Sequence, residues 1–278
     1  MTPPDQVDRY AVVGNPVAHS LSPRIHASFA AQSGQHLSYE AIEIPLDSFA
    51  HEIRNLQQQG FSGVNVTVPF KREAWELCDH LTPRAEDAGA VNTLSFISNG
   101  SIAGDNTDGV GLTRDLVDNL GVAIEGQNIL LLGAGGAVRG TLGPILALSP
   151  GRLSIANRTP QKATDLAQDF ANFGKIHAIT YETLGSTSYD LIINGTAAGL
   201  SNQVPPIRDS VLGENSVCYD MMYNISNTTA FVDWASSRGV KRAYDGRGML
   251  VEQAAEAFHV WRSIHPRTVE IIRLLGQL

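Results

Sequence analysis

The stretch Asn128-Ile129-Leu130-Leu131-Leu132-Gly133-Ala134-Gly135-Gly136-Ala137-Val138-Arg139-Gly140 constrains this chain more than any other. A short apolar run reads as a buried strand, clustered glycines stop it, and small residues after them start a helix. Glycine permits a tight turn and lets a ligand approach the backbone, and a helix N-terminus offers free N–H groups and partial positive charge. Those are the parts that cradle a dinucleotide pyrophosphate. Gly133 and Gly135 fill the first two places of G-x-G-x-x-G, and Val138 occupies the third. A plain strand-to-helix turn shares this pattern, so the neighbouring segments have to arbitrate. Gly133, Ala134, Gly135, Gly136 and Ala137 are the candidate cofactor contacts here.

The following strand supplies a second signal. Arg152-Leu153-Ser154-Ile155-Ala156 runs into Asn157-Arg158-Thr159. An NAD-specific site places Asp or Glu at such a strand end to hold the ribose 2′-hydroxyl. An amide, a guanidinium and a hydroxyl stand there instead. The planar fork of Arg158 suits a 2′-phosphate, with Lys162 close by in sequence, and this favours NADP over NAD. A solvated surface arginine is the plainer reading of Arg158.

With 278 residues the chain is long enough for two domains, and 43% hydrophobic with 17% charged residues is ordinary for a globular protein. The net charge of −8 carries no nucleic-acid footprint. The two cysteines, Cys78 and Cys218, form neither a CxxC nor a disulfide framework, which fits a reducing cytoplasm. Met1 to Arg9 is polar and unlike a signal peptide, and no apolar run approaches the ~20 residues of a membrane span. The eight histidines show no metal-ligand spacing, so no metal is expected.

Along the N-terminal half, strands are expected at 10–14, 37–44 and 61–69, with helices from Ser22-Pro23 to about Ser33, over 47–59 and from Lys71 to about Asp79. Residues 90–96 and 101–104 read as a hairpin around Asn99-Gly100. A helix over 110–120 bridges to a second domain whose further strands are 177–179, 189–194, 216–220 and 240–244, with a helix between 229 and 238. Two helices follow, over 249–264 and from about Arg267. Alternating strands and helices indicate an α/β protein with mainly parallel sheets.

Polar residues gather at the strand ends of the N-terminal half. Ser20 and Ser22 follow the first strand. Asn65, Thr67 and Lys71 cluster at the end of the 61–69 strand. Asn92 follows the next apolar step, and Asp108 precedes the bridging helix. Hydroxyls, amides, one ammonium and one carboxylate suit a small, polyhydroxylated, anionic substrate. Each also has a plainer reading, as cap, turn residue or solvated lysine. An ammonium near a ketone being reduced stabilises the developing oxyanion and donates a proton, and a carboxylate beside it keeps it charged and oriented.

Taken together, these segments resemble the shikimate dehydrogenase family over nearly the whole chain. The carriers are Gly14-Asn15-Pro16-Val17-Ala18-His19-Ser20-Leu21-Ser22-Pro23, Asn65-Val66-Thr67-Val68-Pro69-Phe70-Lys71, Gly89-Ala90-Val91-Asn92-Thr93 and Gly104-Asp105-Asn106-Thr107-Asp108-Gly109. After them come the glycine loop, Asn157-Arg158-Thr159, and Tyr244-Asp245-Gly246-Arg247-Gly248-Met249-Leu250-Val251 with Gln253. The resemblance implies NADPH-dependent reduction of 3-dehydroshikimate to shikimate in aromatic amino-acid synthesis. It implies Lys71 and Asp108 as the catalytic pair. Ser20, Ser22, Thr67 and Tyr223 would hold the substrate carboxylate, and Asn92 and Gln253, with Lys71 and Asp108, the ring oxygens; Asn65 joins the substrate set. Asn157, Arg158, Thr159 and Lys162 would hold the 2′-phosphate, with Thr196, Gly246 and Met249 as further cofactor contacts. The implied architecture is an α/β substrate domain (1–109 with 246–278) and a Rossmann-type NADP domain (110–245), the C-terminal helices returning to the substrate domain and a cleft between the two that opens and closes.

Three positions depart from the family pattern. Asn194-Gly195-Thr196-Ala197-Ala198 replaces the usual Asn-Ala-Thr-Ser, Glu252 stands where glycine is common, and Lys162 stands where a second arginine is often found. Two other readings stay open: a quinate/shikimate dehydrogenase of broader substrate and cofactor choice, and a non-catalytic relative that senses pathway metabolites. The expected partners are the small-molecule substrate alone, without nucleic acid or membrane, in a cytoplasmic monomer or homodimer.

Overall fold

The central strands of the 128–244 region are covered on both faces, and their sequence supplies the apolar residues for it. Ile129 and Leu131 pack into one apolar cluster, and Leu130 and Leu132, on the opposite face, pack into another. The structure, a computed structural model, describes residues 7–185, 187–198 and 203–276. The segment Met1–Gln6, read above as unlike a signal peptide, lies outside them. The chain divides into two compact units, Met1–Gly111 with Leu250–Leu274, and Leu112–Met249 with Leu275–Leu278.

The first unit contains β1 (Asp8–Gly14), α1 (Ser22–Ser33), β2 (Leu37–Glu43), α2 (Phe49–Gln58), β3 (Phe61–Val66), α3 (Lys71–Leu77), β4 (His80–Leu81), α4 (Pro83–Ala88), β5 (Thr93–Phe96) and β6 (Ile102–Asp105). The six strands pair in the order β2-β1-β3-β5-β6-β4. β1, β2 and β3 are parallel, whereas β5 runs antiparallel to both β3 and β6. This sheet is mainly parallel, five of its six strands running one way; β5 alone is reversed, entering antiparallel to β3 and turning through Asn99-Gly100 into β6, which pairs parallel with β4, and Gly100 has φ +87°. The third strand stops at Val66 and not at Pro69, since Thr67 to Phe70 form a turn closed by Phe70 N–H on the Thr67 carbonyl. The core under the sheet gathers Ile53, Val64, Phe70 and Leu94, among others.

The second unit contains β7 (Asn128–Leu132), α6 (Gly136–Ala147), β8 (Arg152–Ala156), α7 (Pro160–Asp169), β9 (Ile176–Ile179), β10 (Tyr189–Asn194), β11 (Leu212–Asp220), α8 (Ala230–Ser237) and β12 (Arg242–Tyr244). Its strand order, β12-β11-β10-β7-β8-β9, is parallel throughout. Counting from β7, this is the doubly wound order 3-2-1-4-5-6 reversed in direction, with the switch point between β7 and β10.

The chain runs from one unit into the other within α5 (Asp108–Arg114) and α9 (Arg247–Arg262). After α5 one turn widens into a π-helix, Asp115–Asn119, so the expected single helix over 110–120 has two parts. The part of α9 in the first unit buries Val251, Ala254, Ala255, Ala257 and Phe258. Trp261 stacks on Tyr10 at 4.5 Å, and Arg262 pairs with Asp8. α10 (Val269–Leu274) follows, burying Ile271 and Ile272 in the same unit.

Candidate functional site

In the first unit, the carboxyl ends of neighbouring strands bring several of the expected residues together. Lys71 opens α3, and its carbonyl accepts from Val91 N–H at 2.9 Å, which fixes where the side chain starts. Its Nζ lies 2.5 Å from Asp108 Oδ2; the two side chains are 13% and 6% exposed. Asn92 Nδ2 reaches Asp108 Oδ1 and Thr107 Oγ1, both at 2.9 Å, and Gln253 Oε1 at 3.3 Å. Lys71, Asn92, Asp108 and Gln253 thus form one connected polar group. Lys71 is charge-paired, and Asp108 has each oxygen held by a different donor.

The loop that presents Asp108 is held from beneath. Asp108 N–H donates to Asn106 Oδ1 at 3.1 Å, and Asn106 Nδ2 donates to the Ala90 carbonyl at 2.9 Å. Arg84 grips Asp105 with Nε on Oδ1 at 2.6 Å and Nη2 on Oδ2 at 2.7 Å, and it places Nη1 on Glu256 Oε1 at 2.9 Å. Burial alone would raise the Asp105 carboxyl, but the bonds from Arg84 and Thr82 outweigh it and hold the group below its usual range. This bidentate fork links the Asp108 loop to the helix that carries Gln253. Nothing in the sequence marks Arg84 except a cation two residues after Leu81-Thr82.

The other substrate candidates of this unit sit at the ends of β1 and β3. Gly14 packs so closely on Thr67 that a Cβ there would overlap the Thr67 methyl, and Asn15 N–H donates to the Val68 carbonyl at 3.0 Å. Thr67 is half-buried. Ser22 is buried at the start of α1, and its N–H donates to Ser20 Oγ at 3.2 Å. Asn65 is engaged within the unit: Oδ1 accepts from Tyr39 O–H at 2.7 Å, and Nδ2 donates to the Asn92 carbonyl and Thr93 Oγ1. Tyr39 stacks on the buried His26 at 4.1 Å. Tyr39 does not stand out in sequence because a lone aromatic in an alternating strand reads as packing, and His26 does not because a single histidine within a helix shows no ligand spacing.

In the second unit the ends of β8, β7, β10 and β11 line up at the switch point. Gly133 N–H donates to the Ala156 carbonyl, Gly195 N–H to the Leu132 carbonyl, and Met221 N–H to the Asn194 carbonyl, each at 2.8 Å. Gly133 has φ +109°, and a Cβ there would press on the Gly195 carbonyl at 3.0 Å, so this turn requires glycine. A Cβ on Gly135 would meet nothing within 4 Å. Gly135 N-caps α6 without a side-chain hydrogen bond, and the first turn (Gly136, Ala137) has no acidic residue. Open backbone N–H groups and bare space at Gly135 fit a pyrophosphate.

At the end of β8, Asn157 is half-buried and donates to the Thr159 carbonyl at 2.9 Å, while Arg158, Thr159 and Lys162 are exposed. Among the described residues, Arg158 and Lys162 make no ion pair, so both cations remain available to a phosphate. Thr196 donates from N–H and Oγ1 to Asn194 Oδ1 at 3.1 and 2.8 Å. Gly246 N–H donates to the Met222 carbonyl at 2.9 Å, and Met249 N–H to Tyr219 Oη at 3.3 Å. Tyr223, just beyond β11, is half-buried. The residues that the sequence did not disclose here are Asp220 and Thr229, both buried beneath Thr196 and Met222. A carboxylate at a strand end gives no sign of which loops it joins.

Residues 12–94 match the family model described as shikimate dehydrogenase substrate binding domain, and residues 115–243 match the one described as shikimate / quinate 5-dehydrogenase. The chain is 53% identical over 269 residues to the shikimate dehydrogenase (NADP(+)) of Thioalkalivibrio sulfidiphilus, covering 97% of this chain and 98% of the relative. It is 52% identical to the protein of the same name from Aeromonas salmonicida, covering 97% of each. Among solved structures, an Ael1 enzyme from Pseudomonas putida superposes with a TM-score of 0.88 at 43% identity, over 96% of this chain and 98% of that one. The shikimate 5-dehydrogenase of Thermus thermophilus, in complex with NADP(H) and shikimate, superposes with a TM-score of 0.85 at 31% identity, over 97% and 98%.

Proposed function

The chain belongs to the shikimate dehydrogenase family, and from that premise we propose that Lys71 and Asp108 are its catalytic pair. It is an NADP-dependent oxidoreductase that interconverts 3-dehydroshikimate and shikimate in aromatic amino-acid synthesis. The observation that carries the residue assignment is the 2.5 Å contact between Lys71 Nζ and Asp108 Oδ2, with Asn92 on the other carboxylate oxygen and Gln253 alongside.

NADPH, when bound, supplies the hydride. Gly133, Ala134, Gly135, Gly136 and Ala137 hold its pyrophosphate, and Asn157, Arg158, Thr159 and Lys162 take the 2′-phosphate. Thr196, Gly246 and Met249 line the rest of the cofactor. The protein's own chemistry is proton management. Lys71 faces the ketone oxygen, stabilises the charge that grows there and delivers a proton from Nζ; in the reverse direction Nζ takes the hydroxyl proton. Asp108 pairs with the Lys71 ammonium and aims it. Ser20, Ser22, Thr67 and Tyr223 bind the substrate carboxylate. Asn92 and Gln253 hold ring hydroxyls. Asn65, whose own amide is engaged with Tyr39, Asn92 and Thr93, contributes by setting the wall of that site.

The enzyme works in the cytoplasm as a monomer or homodimer on small molecules alone, with no nucleic acid and no membrane as partner. The free cysteines Cys78 and Cys218 support a reducing compartment. No described helix is long and apolar enough to cross a membrane.

The deciding assay is oxidation of shikimate and of quinate, followed as nicotinamide reduction, with NADP and NAD in parallel. Turnover confined to shikimate with NADP is the expected result. Comparable turnover of quinate or with NAD would move the protein to the broader-specificity branch, and no turnover with any pair would overturn the catalytic assignment.

A further inference from the structure

Asn194, Asp220 and Thr229 form a buried polar cluster in the second unit that the chemistry above does not use; they are 0%, 0% and 5% exposed. Asp220 Oδ1 accepts from Asn194 Nδ2 at 3.0 Å and from Met222 N–H at 3.1 Å, and Oδ2 accepts from Thr229 Oγ1 at 2.7 Å. Each donor belongs to a different segment. Asn194 ends β10 and, through Oδ1, holds both the N–H and the hydroxyl of Thr196. Met222 opens the loop that carries Tyr223, and its carbonyl receives Gly246 N–H. Thr229 caps α8 by accepting from Val232 N–H.

A buried carboxylate is ordinarily matched by a cation. Among the groups described around Asp220 there is none. Its donors are an amide, a backbone N–H and a hydroxyl, and the charge that reaches it is that of Asp245, which is itself paired with Arg247 at 2.8 Å. Burial pushes the Asp220 carboxyl up to about 6 and Asp245 adds to the rise, against the pull of the bonds from Thr229, Met222 and Asn194. The folded state therefore carries the charged form at a cost, and an uncharged isostere such as asparagine would fill the same space without it. What asparagine cannot do is accept on both oxygens. With its amide oxygen on Asn194 and Met222, its NH2 would face Thr229 Oγ1 and displace that hydroxyl's donation. A charged acceptor also makes roughly twice as strong a bond as a neutral one.

We propose that Asp220 is a positioning residue whose carboxylate locks the Thr196 loop and the Met222–Tyr223 loop into one geometry, presetting the cofactor and substrate contacts of the second unit. This rests on the roles given above to Thr196 and Tyr223.

The test is Asp220→Asn in the full-length protein. In hydrogen–deuterium exchange without ligand, amides of 195–198 and 221–223 exchange about tenfold faster while those of β7 and β8 stay unchanged, as expected for weakening a charge-assisted bond. NADP affinity, read by fluorescence titration, weakens about tenfold at pH 8. NADP affinity falls less between about pH 8 and pH 5 in the variant than in the wild type, the protonation of the 2′-phosphate being common to both. The melting temperature at pH 8 stays equal or rises, which a merely structural carboxylate would not allow. Thr229→Val serves as a second variant: it removes one stabilising donor and moves the pH limb of NADP affinity upward. Unchanged exchange in both loops, or a lowered melting temperature with exchange raised throughout the unit, would overturn the proposal. Wild-type protein that bound no NADP would instead sink the site assignment, and the loop exchange alone would then judge Asp220.

Discussion

Lys71 and Asp108 meet at 2.5 Å, although 37 positions separate them in the chain, because the strand-end turn after β3 and the loop after β6 converge on one carboxylate. Replacing Lys71 with Met removes the proton donor and leaves Asp108 held by Asn92. Turnover of shikimate with NADP should fall by about 10²–10⁴, with a much smaller change in shikimate affinity by calorimetry. Turnover within a few-fold of wild type would remove Lys71 from the chemistry.

Arg158 is exposed, without an ion pair among the described residues, at a strand end that lacks an acidic residue. Arg158→Ala should raise the KM for NADP by about 10- to 100-fold, the worth of a bidentate charge-assisted pair, and leave the KM for NAD nearly unchanged. Equal effects on the two cofactors in parallel steady-state assays would reject a 2′-phosphate clamp at this residue.

Gly248 sits against the fully buried Asp115, and a Cβ on it would lie inside the Asp115 carboxylate. That carboxylate also accepts from Tyr219 O–H at 2.7 Å and from Asn119 Nδ2 at 3.1 Å, so it cannot retreat without breaking both bonds. Gly248→Ala should cost about 2–4 kcal/mol in urea unfolding, from overpacking plus lost buried hydrogen bonds. A loss under about 0.5 kcal/mol would show that the site relaxes freely.

His26 is fully buried against Tyr39, Phe29, Phe258 and Trp261, and burial, only partly offset by the nearby Asn65 amide, lowers its pKa to about 3. The unfolded chain takes up this proton near its ordinary value of about 6.5, well before the folded protein does. Stability is therefore full above about 6.5 and is lost as pH falls toward 3. Between pH 7 and pH 5 this one residue should account for a loss of roughly 2 kcal/mol. His26→Phe keeps the stacked ring and should be less acid-sensitive by about that amount in denaturant titrations. An unchanged acid slope would assign the loss to other groups.

The second unit was the more legible in sequence, and the reason is physical. β7 and β8 are buried on both faces, so they show as continuous apolar runs, and the glycines after β7 are required by the close approach of Gly195 and the open space at Gly135. The first unit was harder. α4 has six residues and buries only Ala85 and Ala88, too small a signal for periodicity, and β4 has two residues. The one reversed strand, β5, is set by its pairing with β3, and no local residue pattern encodes that direction. Within the site, Lys71 stands out at the end of the 61–69 segment, Asn92 after an apolar step and Asp108 before the bridging helix. Arg84 does not, since its partners Asp105 and Glu256 lie 21 and 172 positions away and only the fold brings them together. Asp220 likewise showed as a strand-end carboxylate with no hint of the loops it joins.

Because Leu250–Leu274 belongs with Met1–Gly111, the first unit is completed by a segment made after every strand of the second sheet. During translation all six strands of the second sheet leave the ribosome before Phe258, Trp261 and Arg262 do. The N-terminal sheet, though made first, waits with Tyr10, Asp8 and the edge of its aromatic cluster uncovered until Phe258, Trp261 and Arg262 have emerged. A nascent chain whose residues up to Met249 have left the exit tunnel would have every strand of the cofactor unit's sheet beside a substrate unit still lacking Leu250–Leu274, so the ability to take up NADP would arise before the ability to take up shikimate.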